Sequence, residues 1–280
     1  MSETAEPSPE ALAKEAQALA LLRAQTAVGV AFSGGVDSTY LLALAVDALG
    51  PGPVLAVTAA TEFIRPDEVE QAQRLAAHLG VRHQVATVSL LQNSAVAGNP
   101  PDRCYWCKAA VVEALARLAE RMPGVTLVHG ANGDDLGDYR PGEQAARERG
   151  LLAPLQAAGL TKLEIRTLAR ARGLPNWDQP AAACLATRFP YGEPQTAEGL
   201  RRVAEAEGFL RQEVGLRNLR VRSHGAVARL EIPPDDWSAV LDPARRAQVV
   251  ERLRALGFLY VTLDLMGLRS GSMNDALRPS

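Results

Sequence analysis

Apolar and polar residues form blocks along the first two thirds of the chain that switch between strand and helix periodicity. Short continuous apolar runs predict buried β-strands. Between them, longer segments with apolar residues at intervals of three and four predict helices, several of which end at a glycine. The predicted strands are residues 27–33, 54–60, 84–90 and 126–132, and the predicted helices are residues 8–25, 37–50, 65–80 and 106–121. This alternation predicts an α/β fold, a parallel sheet with helices on both faces.

The pattern changes after about residue 190. A predicted helix near 196–214 precedes two strands around a turn at His224 and Gly225, and then come a helix at 243–257 and a strand at 258–265. This order predicts a smaller C-terminal α+β domain, with FPYGEP (189–194) as the linker. The predicted division is a disordered leader at 1–7, the α/β domain at 8–190, and a domain for substrate binding or oligomerisation at 191–280.

Composition narrows the class of protein. The chain has 280 residues, 47% of them hydrophobic, and a net charge of -2. No apolar run approaches the roughly 18 residues of a membrane span, and the polar N-terminus lacks the features of a signal peptide. The sequence pI of about 6.1 argues against a nucleic-acid surface made by bulk charge. We therefore expect a cytoplasmic protein without membrane or nucleic-acid partners.

The segment SGGVDS (33–38) joins the first predicted strand to the first predicted helix. A helix N-terminus offers unpaired N–H groups to an anion, and glycines let the backbone approach phosphate closely. The segment resembles the PP-loop of the ATP pyrophosphatase family, whose fold is adenine nucleotide alpha hydrolase-like. The resemblance implies ATP cleavage between the α and β phosphates. It implies that Asp37 binds magnesium and that four other residues of the segment bind ATP or pyrophosphate: Ser33, Gly34, Gly35 and Ser38. The alternative is a glycine turn capped by serine.

A second acidic segment, GANGDDLGDYRPG (130–142), follows the fourth predicted strand. PP-loop proteins place a similar segment near the nucleotide. Asp134, Asp135 and Asp138 are therefore candidates for binding magnesium or orienting ATP. A solvated acidic loop is the alternative. By analogy, the adenine is expected against the backbone of residues 57–60.

Three cysteines, Cys104, Cys107 and Cys184, are too few for a disulfide framework. With a fourth ligand they could hold zinc, but the four histidines show no ligand spacing. Three thiolates also suit a [4Fe–4S] cluster with one iron left open. A redox disulfide between Cys104 and Cys107, or no joint role, stays open from the residues alone.

The C-terminal half resembles one family of PP-loop enzymes, the LarE family. The resemblance rests on CLATRFPYG (184–192), LRVRSHGAVARLEIP (219–233) and YVTLDLMGLRSGSMND (260–275), together with SGGVDS and DYRPG. These enzymes convert the carboxylates of pyridinium-3,5-biscarboxylic acid mononucleotide to thiocarboxylates in the biosynthesis of the nickel-pincer nucleotide. Each carboxylate is adenylated with ATP and Mg²⁺ and then attacked by sulfur.

The family has two sulfur strategies. In one, a single cysteine, matching Cys184, gives up its own sulfur. In the other, three cysteines hold a [4Fe–4S] cluster that carries the sulfide. The C-x-x-C pair at Cys104 and Cys107 makes this chain similar to the second type. The partners implied are ATP, a small-molecule nucleotide, a sulfide or sulfur donor, and further copies of the chain in a homo-oligomer.

The resemblance also implies substrate-binding residues. Arginine forks match phosphate oxygens in two-point contacts, and carboxylates can face a substrate or a metal. Trp106 and Tyr105 are candidates for stacking on a ring, with core packing as the alternative. The candidates for substrate phosphate, AMP or substrate-site metal are Arg188, Arg220, Arg222, Arg269, Glu231 and Asp264.

Other functions fit part of the sequence. A PP-loop tRNA thiolation enzyme can use a similar three-cysteine cluster, but such proteins usually add zinc-ribbon cysteines and a basic surface. A nucleotide-binding protein with a structural zinc would release no pyrophosphate. An amidating enzyme resembling NAD synthetase would leave the cysteines without a role.

Overall fold

The described residues form two compact units. The structure is a computed structural model that describes residues 6–137, 141–180, 183–269 and 272–277. The first unit comprises residues up to 90 and residues 102–181, and the second comprises residues 91–101 and those from 182 on. No helix in these ranges is long and apolar enough to cross a membrane. Most of the predicted leader, residues 1–5, lies outside the described residues, and the predicted domain limits stay predictions.

A four-stranded parallel sheet organises the first unit, in the order β3-β2-β1-β4. The central strand β1 pairs with β2 on one side and β4 on the other, so that Gly29 lies opposite Leu55 and Leu127. The carboxyl ends of all four strands therefore meet at one edge. The strands are β1 Ala27–Ala31, β2 Val54–Ala60, β3 Arg82–Thr87 and β4 Val125–His129.

Helices cover both faces of this sheet, as the sequence predicts. Successive side chains of a strand point to opposite faces. On β2, Val54 and Ala56 belong to one buried cluster, which also contains Leu41 and Leu44 of the first long helix after β1. Leu55 and Val57 belong to a second cluster, which contains Leu115.

The helices of the first unit agree with the sequence pattern where it is periodic and differ at some ends. The helix that carries the cysteine pair begins at Arg103, before the predicted start at 106, directly after the Pro100–Pro101 pair. Three helices after β4 were not predicted. The helices are α1 Pro9–Arg23, α2 Val36–Leu49, α3 Pro66–His78, α5 Arg103–Ala119, α6 Pro141–Glu148, α7 Pro154–Ala157 and α8 Lys162–Ala171, and the short α4, Ser94–Ala97, belongs to the second unit.

The second unit contains a three-stranded sheet in the order β5-β6-β7. The hairpin turn at Gly225, where φ is +59°, joins two antiparallel strands, as predicted, and the last strand is parallel to the second. One face of the hairpin is apolar and buried, through Val221, Ala228 and Leu230. The elements are α9 Ala197–Gln212, β5 Arg220–His224, β6 Val227–Glu231, α10 Ser238–Leu241, α11 Pro243–Ala255 and β7 Tyr260–Leu263.

Residues 91–101 are tied to the second unit by hydrogen bonds. Asn99, fully buried with φ of +52°, donates through Nδ2 to the Pro190 carbonyl at 2.6 Å. The Gly192 and Gln195 N–H groups donate back to the carbonyls of Asn99 and Ala97. These bonds fix the backbone that follows the 3₁₀ turn Leu185–Arg188.

Candidate functional site

A glycine loop joins β1 to α2 at the carboxyl edge of the parallel sheet. Gly34 has φ of +73°, and a Cβ there would lie 3.2 Å from the Cα of Ala72 on α3. Gly35 is the N-cap of α2 and has no side-chain cap. The N–H groups of the helix start therefore have no side-chain competitor at this position, which favours an anion.

The two serines of the loop hydrogen-bond to each other. Ser33 Oγ and Ser38 Oγ lie 3.1 Å apart, and Ser38 Oγ donates to the Gly35 carbonyl at 3.0 Å. Ser33 is exposed and Ser38 is buried. Ser38 therefore shapes the loop, and Ser33 presents its hydroxyl to the solvent side.

Asp37 lies in the first turn of α2, and its two carboxylate oxygens differ in their hydrogen bonding. Asn132 Nδ2 donates to Oδ2 at 3.1 Å, and Lys162 Nζ lies 3.7 Å from the same oxygen. Oδ1 is buried and has no hydrogen-bond partner in the described part of the chain. Burial raises the pKa of Asp37, while Lys162 and Asn132 oppose the rise. A buried carboxylate oxygen without a partner fits a hard cation such as Mg²⁺.

The loop after β4 packs against the start of α2. A Cβ at Gly130 would lie 3.0 Å from the Ser38 backbone nitrogen, so the close approach requires glycine. This contact brings Asn132 to Asp37. The exposed Asp134 accepts from the Lys162 N–H at 2.9 Å and so caps α8. Its predicted role toward ATP stays a prediction, and the candidate Asp138 lies outside the described residues.

Sequence reasoning missed three polar residues around the loop. Lys162 begins α8 behind a capping box formed by Thr161 and Glu164, a signal that could have located the helix but not its neighbour Asp37. Asn176, only 5% exposed, donates to the Gly34 carbonyl at 2.9 Å and to Thr39 Oγ1 at 3.0 Å. Asn132 was the third.

Cys104 and Cys107 lie in the first two turns of α5, three residues apart and on neighbouring positions of the helix surface. Cys104 is exposed and Cys107 is half-buried. The start of α6 lies against this turn, since a Cβ at Gly142 would be 3.3 Å from the Cys104 carbonyl oxygen. No group of three His, Cys, Asp or Glu side chains in the described residues is placed to hold a metal ion, so the three-thiolate cluster stays a prediction.

The aromatic residues between the cysteines contact each other. The rings of Tyr105 and Trp106 meet edge to face at 5.1 Å. Tyr105 Oη donates to Glu148 at 2.6 Å, and Trp106 Nε1 donates to Asp102 at 3.0 Å. Trp106 is 42% exposed, so part of its ring remains open to a ligand.

A buried polar cluster lies beside Cys107. His129, at the end of β4, has Nε2 3.5 Å from Glu143 Oε1. Burial and the positive charge of Lys108 lower the pKa of His129 to about 3, so its imidazole is neutral near pH 7. Burial also lowers the pKa of Lys108, against the opposing effects of Glu143 and Cys107.

In the second unit, Cys184 is exposed and precedes the 3₁₀ turn Leu185–Arg188. Arg188 is 2% exposed and forms a two-point ion pair with Glu207, with contacts of 2.6 and 3.1 Å. Burial raises the pKa of Glu207, but Arg188 and Arg211 outweigh it and hold the pKa below its usual range.

The polar face of the small sheet carries the other predicted residues. Arg222 Nη2 donates to Glu231 Oε2 at 2.8 Å, and Arg229 pairs with both Glu231 and Asp264. Glu231 is fully buried and Asp264 is half-buried, so the predicted acidic positions are engaged by arginines here.

The remaining predicted arginines differ in their partners. Arg269 pairs with Asp275 at 3.1 Å. Arg220 donates to the Arg269 carbonyl at 2.8 Å and has no ion pair within the described ranges. Burial, Arg222 and Arg188 all lower the pKa of Arg220. This crowding of positive charge makes Arg220 the guanidinium on this face best suited to an anion.

A cavity of about 500 Å³ opens on the same sheet face. Its volume suits a small-molecule ligand. Its wall combines apolar, aromatic and polar side chains: Pro190, Tyr191, His224, Val227, Arg229, Thr262, Ser272 and Met273.

Comparisons with known proteins agree with the PP-loop geometry. Residues 11–116 match the family model described as asparagine synthase. An uncharacterised protein of Synechocystis is 43% identical over 248 residues, which cover 89% of this chain and 92% of that protein. An NH(3)-dependent NAD(+) synthetase of Hyperthermus butylicus is 34% identical over 153 residues, 53% of this chain and 54% of that protein.

One relative extends the similarity to nearly the whole chain. The pyridinium-3,5-bisthiocarboxylic acid mononucleotide synthase of Lactiplantibacillus plantarum is 39% identical over 267 residues, which cover 94% of this chain and 95% of that enzyme. A match of this length extends over both units. The chain therefore belongs to the LarE family of PP-loop ATP pyrophosphatases, a family of ATP-dependent enzymes.

Proposed function

We propose that this protein is an ATP-dependent sulfurtransferase of nickel-pincer nucleotide biosynthesis. It adenylates the carboxylates of pyridinium-3,5-biscarboxylic acid mononucleotide and converts them to thiocarboxylates with sulfide from a [4Fe–4S] cluster. The observation that carries the proposal is the glycine loop with a buried, unpartnered oxygen of Asp37, in a chain whose three cysteines are thiols. The similarity to the Lactiplantibacillus plantarum synthase supports the choice of substrate.

The activation of the carboxylate is assigned to the glycine loop. A carboxylate oxygen is a poor leaving group, and adenylation replaces it with AMP. The N–H groups at the start of α2 bind the departing pyrophosphate, with Ser33 adding a hydroxyl donor. Asp37 would hold a Mg²⁺ ion that neutralises charge on the phosphates, and Lys162, half-exposed and 3.7 Å from Asp37, adds positive charge for the pyrophosphate.

Substrate binding is assigned to the polar face of the small sheet. Arg220 is the residue proposed to bind the phosphate of the substrate or of AMP, because it has no carboxylate partner in the described residues. The cavity lined by Tyr191, His224 and Arg229 supplies aromatic and polar groups for a nucleotide. Arg269, Glu231 and Asp264 complete the predicted set at this face.

The sulfur is assigned to the thiolates of Cys104, Cys107 and Cys184. Soft thiolate ligands suit iron, and three of them leave one iron of a [4Fe–4S] cluster without a protein ligand. Such a cluster, when bound, supplies the transferred sulfide at its open iron. Cys104 and Cys184 are exposed, so both are accessible to cluster assembly.

The test is anaerobic reconstitution of the full chain with iron and sulfide, followed by assay with the biscarboxylate nucleotide, ATP and Mg²⁺. We expect a brown protein, release of AMP and pyrophosphate, and a thiocarboxylate product seen by mass spectrometry. Cys104→Ala should lose the cluster absorbance and the product but retain AMP formation. Asp37→Ala should lose AMP formation but retain the cluster.

The controls separate the two halves of the reaction. Trp106→Phe, between the two cysteines of the pair, keeps an aromatic ring and should keep the cluster. Reconstituted protein without cluster and without thiocarboxylate would refute the proposal, and full cluster content in Cys104→Ala would refute that ligand. The cytoplasmic location and the homo-oligomer stay predictions.

A further inference from the structure

The backbone that presents Cys184 is held by side chains of two buried arginines. We define the Cys184 turn as residues 183–188. Arg188 Nη1 donates to the carbonyls of Ala183 at 3.2 Å and Cys184 at 3.3 Å, and to Thr187 Oγ1 at 2.8 Å. Arg222 Nη1 donates to the Thr187 carbonyl. The two guanidinium groups thus contact three carbonyls of a turn of six residues.

The threonine closes this arrangement. Thr187 Oγ1 accepts from Arg188 and donates to the Cys184 carbonyl at 2.8 Å. The Thr187 N–H also donates to that carbonyl at 3.0 Å. The Cys184 carbonyl therefore receives three donors, which is more than an ordinary 3₁₀ turn provides.

Each of these two arginines is also paired with a fully buried carboxylate. Glu207, which holds Arg188, also accepts from Arg211 at 2.9 Å and from the Val221 N–H at 3.1 Å. Burying a guanidinium is costly unless it is paired, so the carboxylate partner favours one rotamer of each arginine, although the buried Nε of Arg222 has no hydrogen-bond partner in the described residues. A planar fork held in one rotamer fixes the positions of the oxygens it binds.

Arg222 has the same kind of support. Its Nη2 donates to Glu231 Oε2 and to Ser272 Oγ, both at 2.8 Å, and Ser272 Oγ donates to Glu231 Oε1. Arg188 and Arg222 are 2% and 1% exposed, whereas Cys184, which precedes both in the chain, is exposed. The accessible group of this arrangement is therefore the cysteine.

We propose that Arg188 and Arg222 are positioning residues that hold the Cys184 turn through its backbone carbonyls. The inference rests on the proposed function for the role of Cys184 in sulfur transfer. A thiolate that must hold a cluster near an activated carboxylate gains from a backbone fixed in advance, because ordering then costs no free energy during the reaction. Arg220 remains the phosphate-binding candidate.

The test measures hydrogen exchange of the amides of residues 184–188 by mass spectrometry in the full chain. Thr187→Val keeps the shape but removes the hydroxyl, and Thr187→Ser restores it. We expect exchange in Thr187→Val to be about tenfold faster, the factor for loss of about one hydrogen bond, and exchange in Thr187→Ser to match the wild type. The midpoint of thermal unfolding should be the same in all three proteins within about 3 °C.

A second variant removes Arg188 together with the charge of its carboxylate partner, and Arg211, which also pairs with Glu207, has a partly exposed side chain that water can reach. Arg188→Met with Glu207→Gln removes one positive and one negative charge and leaves an amide oxygen for the Val221 N–H. Exchange in the turn should increase more than in Thr187→Val. Unchanged exchange in both proteins, or equal acceleration by valine and serine at position 187, would overturn the proposal.

Kinetics distinguish positioning from phosphate binding. In reconstituted protein, Thr187→Val should lower kcat for the thiocarboxylate about tenfold, with unchanged KM for the nucleotide and unchanged AMP formation. A rise in KM without a fall in kcat would overturn the positioning role. If the wild type forms no thiocarboxylate, the proposed function fails, and hydrogen exchange still decides whether the arginines hold the turn.

Discussion

Asn176 holds the glycine loop from outside the motif, and its removal should cost both stability and affinity for ATP. Its Nδ2 donates at 2.9 Å to the Gly34 carbonyl and at 3.0 Å to Thr39 Oγ1, and Thr39 is fully buried. The Gly34 carbonyl can only accept, so the orientation of the amide is fixed. Asn176→Leu keeps the size of the side chain but leaves both oxygens without their donor.

The magnitude follows from these two contacts. Each buried polar group that loses its partner costs about 1–3 kcal/mol. Asn176 Oδ1 is already buried without a partner, so leucine also removes one existing penalty. The net loss is about 2–4 kcal/mol of unfolding free energy. For a unit of this size that corresponds to a fall of about 5–15 °C in the unfolding midpoint.

The assay combines urea unfolding with the ATP dependence of AMP formation. We expect a higher KM for ATP, because Gly34 adopts φ of +73° in a loop no longer held by the amide. Gln179→Leu is the matched control: it lies in the same segment and loses only a half-buried contact to Gln71, so it should cost less than about 1 kcal/mol. An Asn176→Leu protein as stable as the control, with unchanged KM, would refute the reasoning.

Three further predictions concern substitutions in the first unit, at Asp37, His129 and Gly130. A fourth, Gly208→Ala in α9, is the control for the glycine substitution. Asp37→Asn should abolish Mg²⁺-dependent AMP formation without lowering the unfolding free energy at pH 7, because burial raises the pKa of this carboxyl and its charged form destabilises the fold. The pKa of His129 is lowered to about 3 in the folded protein, whereas an unfolded histidine has a pKa of about 6.5. As the pH falls below about 6.5, the unfolded state binds a proton that the folded state does not, so the unfolding free energy decreases. Between pH 7 and pH 5, His129→Asn should reduce that loss by about 2 kcal/mol in urea titrations. Gly130→Ala should lower the unfolding free energy by about 1–3 kcal/mol, because its Cβ would meet the Ser38 nitrogen at 3.0 Å. Gly208→Ala, in open space on a helix, should raise it by up to about 1 kcal/mol in the same measurement.

Local patterns were sufficient for most of the fold. The four parallel strands and the six longest helices follow from hydrophobic periodicity, which each segment carries in its own residues. The helices α6, α7 and α8 were missed because they are short. The spacing of Thr161 and Glu164 is a capping-box signal that could have located α8, but it does not show that the helix lies beside Asp37. Nothing near residues 91–101 indicates that Asn99 binds the backbone at Pro190.

The candidate site also combines residues that a local sequence pattern marks with residues that only the fold brings together. SGGVDS identified the glycine loop, Asp37 and both serines, because a phosphate loop depends on neighbouring backbone groups. Asn132, Lys162 and Asn176 reach the loop from 95, 125 and 137 or more residues away along the chain. Asn132 lies in the acidic segment 130–142, but nothing local shows that its side chain contacts Asp37, and no local pattern marks Lys162 or Asn176. Their positions depend on where strands and helices end in three dimensions.

The arginines of the second unit show what the sequence and the tertiary structure each determine. The sequence alone selected Arg188 and Arg222 as important, from their place in motifs shared with a family. It could not distinguish a guanidinium that faces a ligand from one that is buried against Glu207 or Glu231. Charge and residue type are properties of the sequence, whereas the partner that neutralises a charge is chosen by packing. For this protein, the sequence determined the chemistry available, and the tertiary structure decided which groups remain accessible for it.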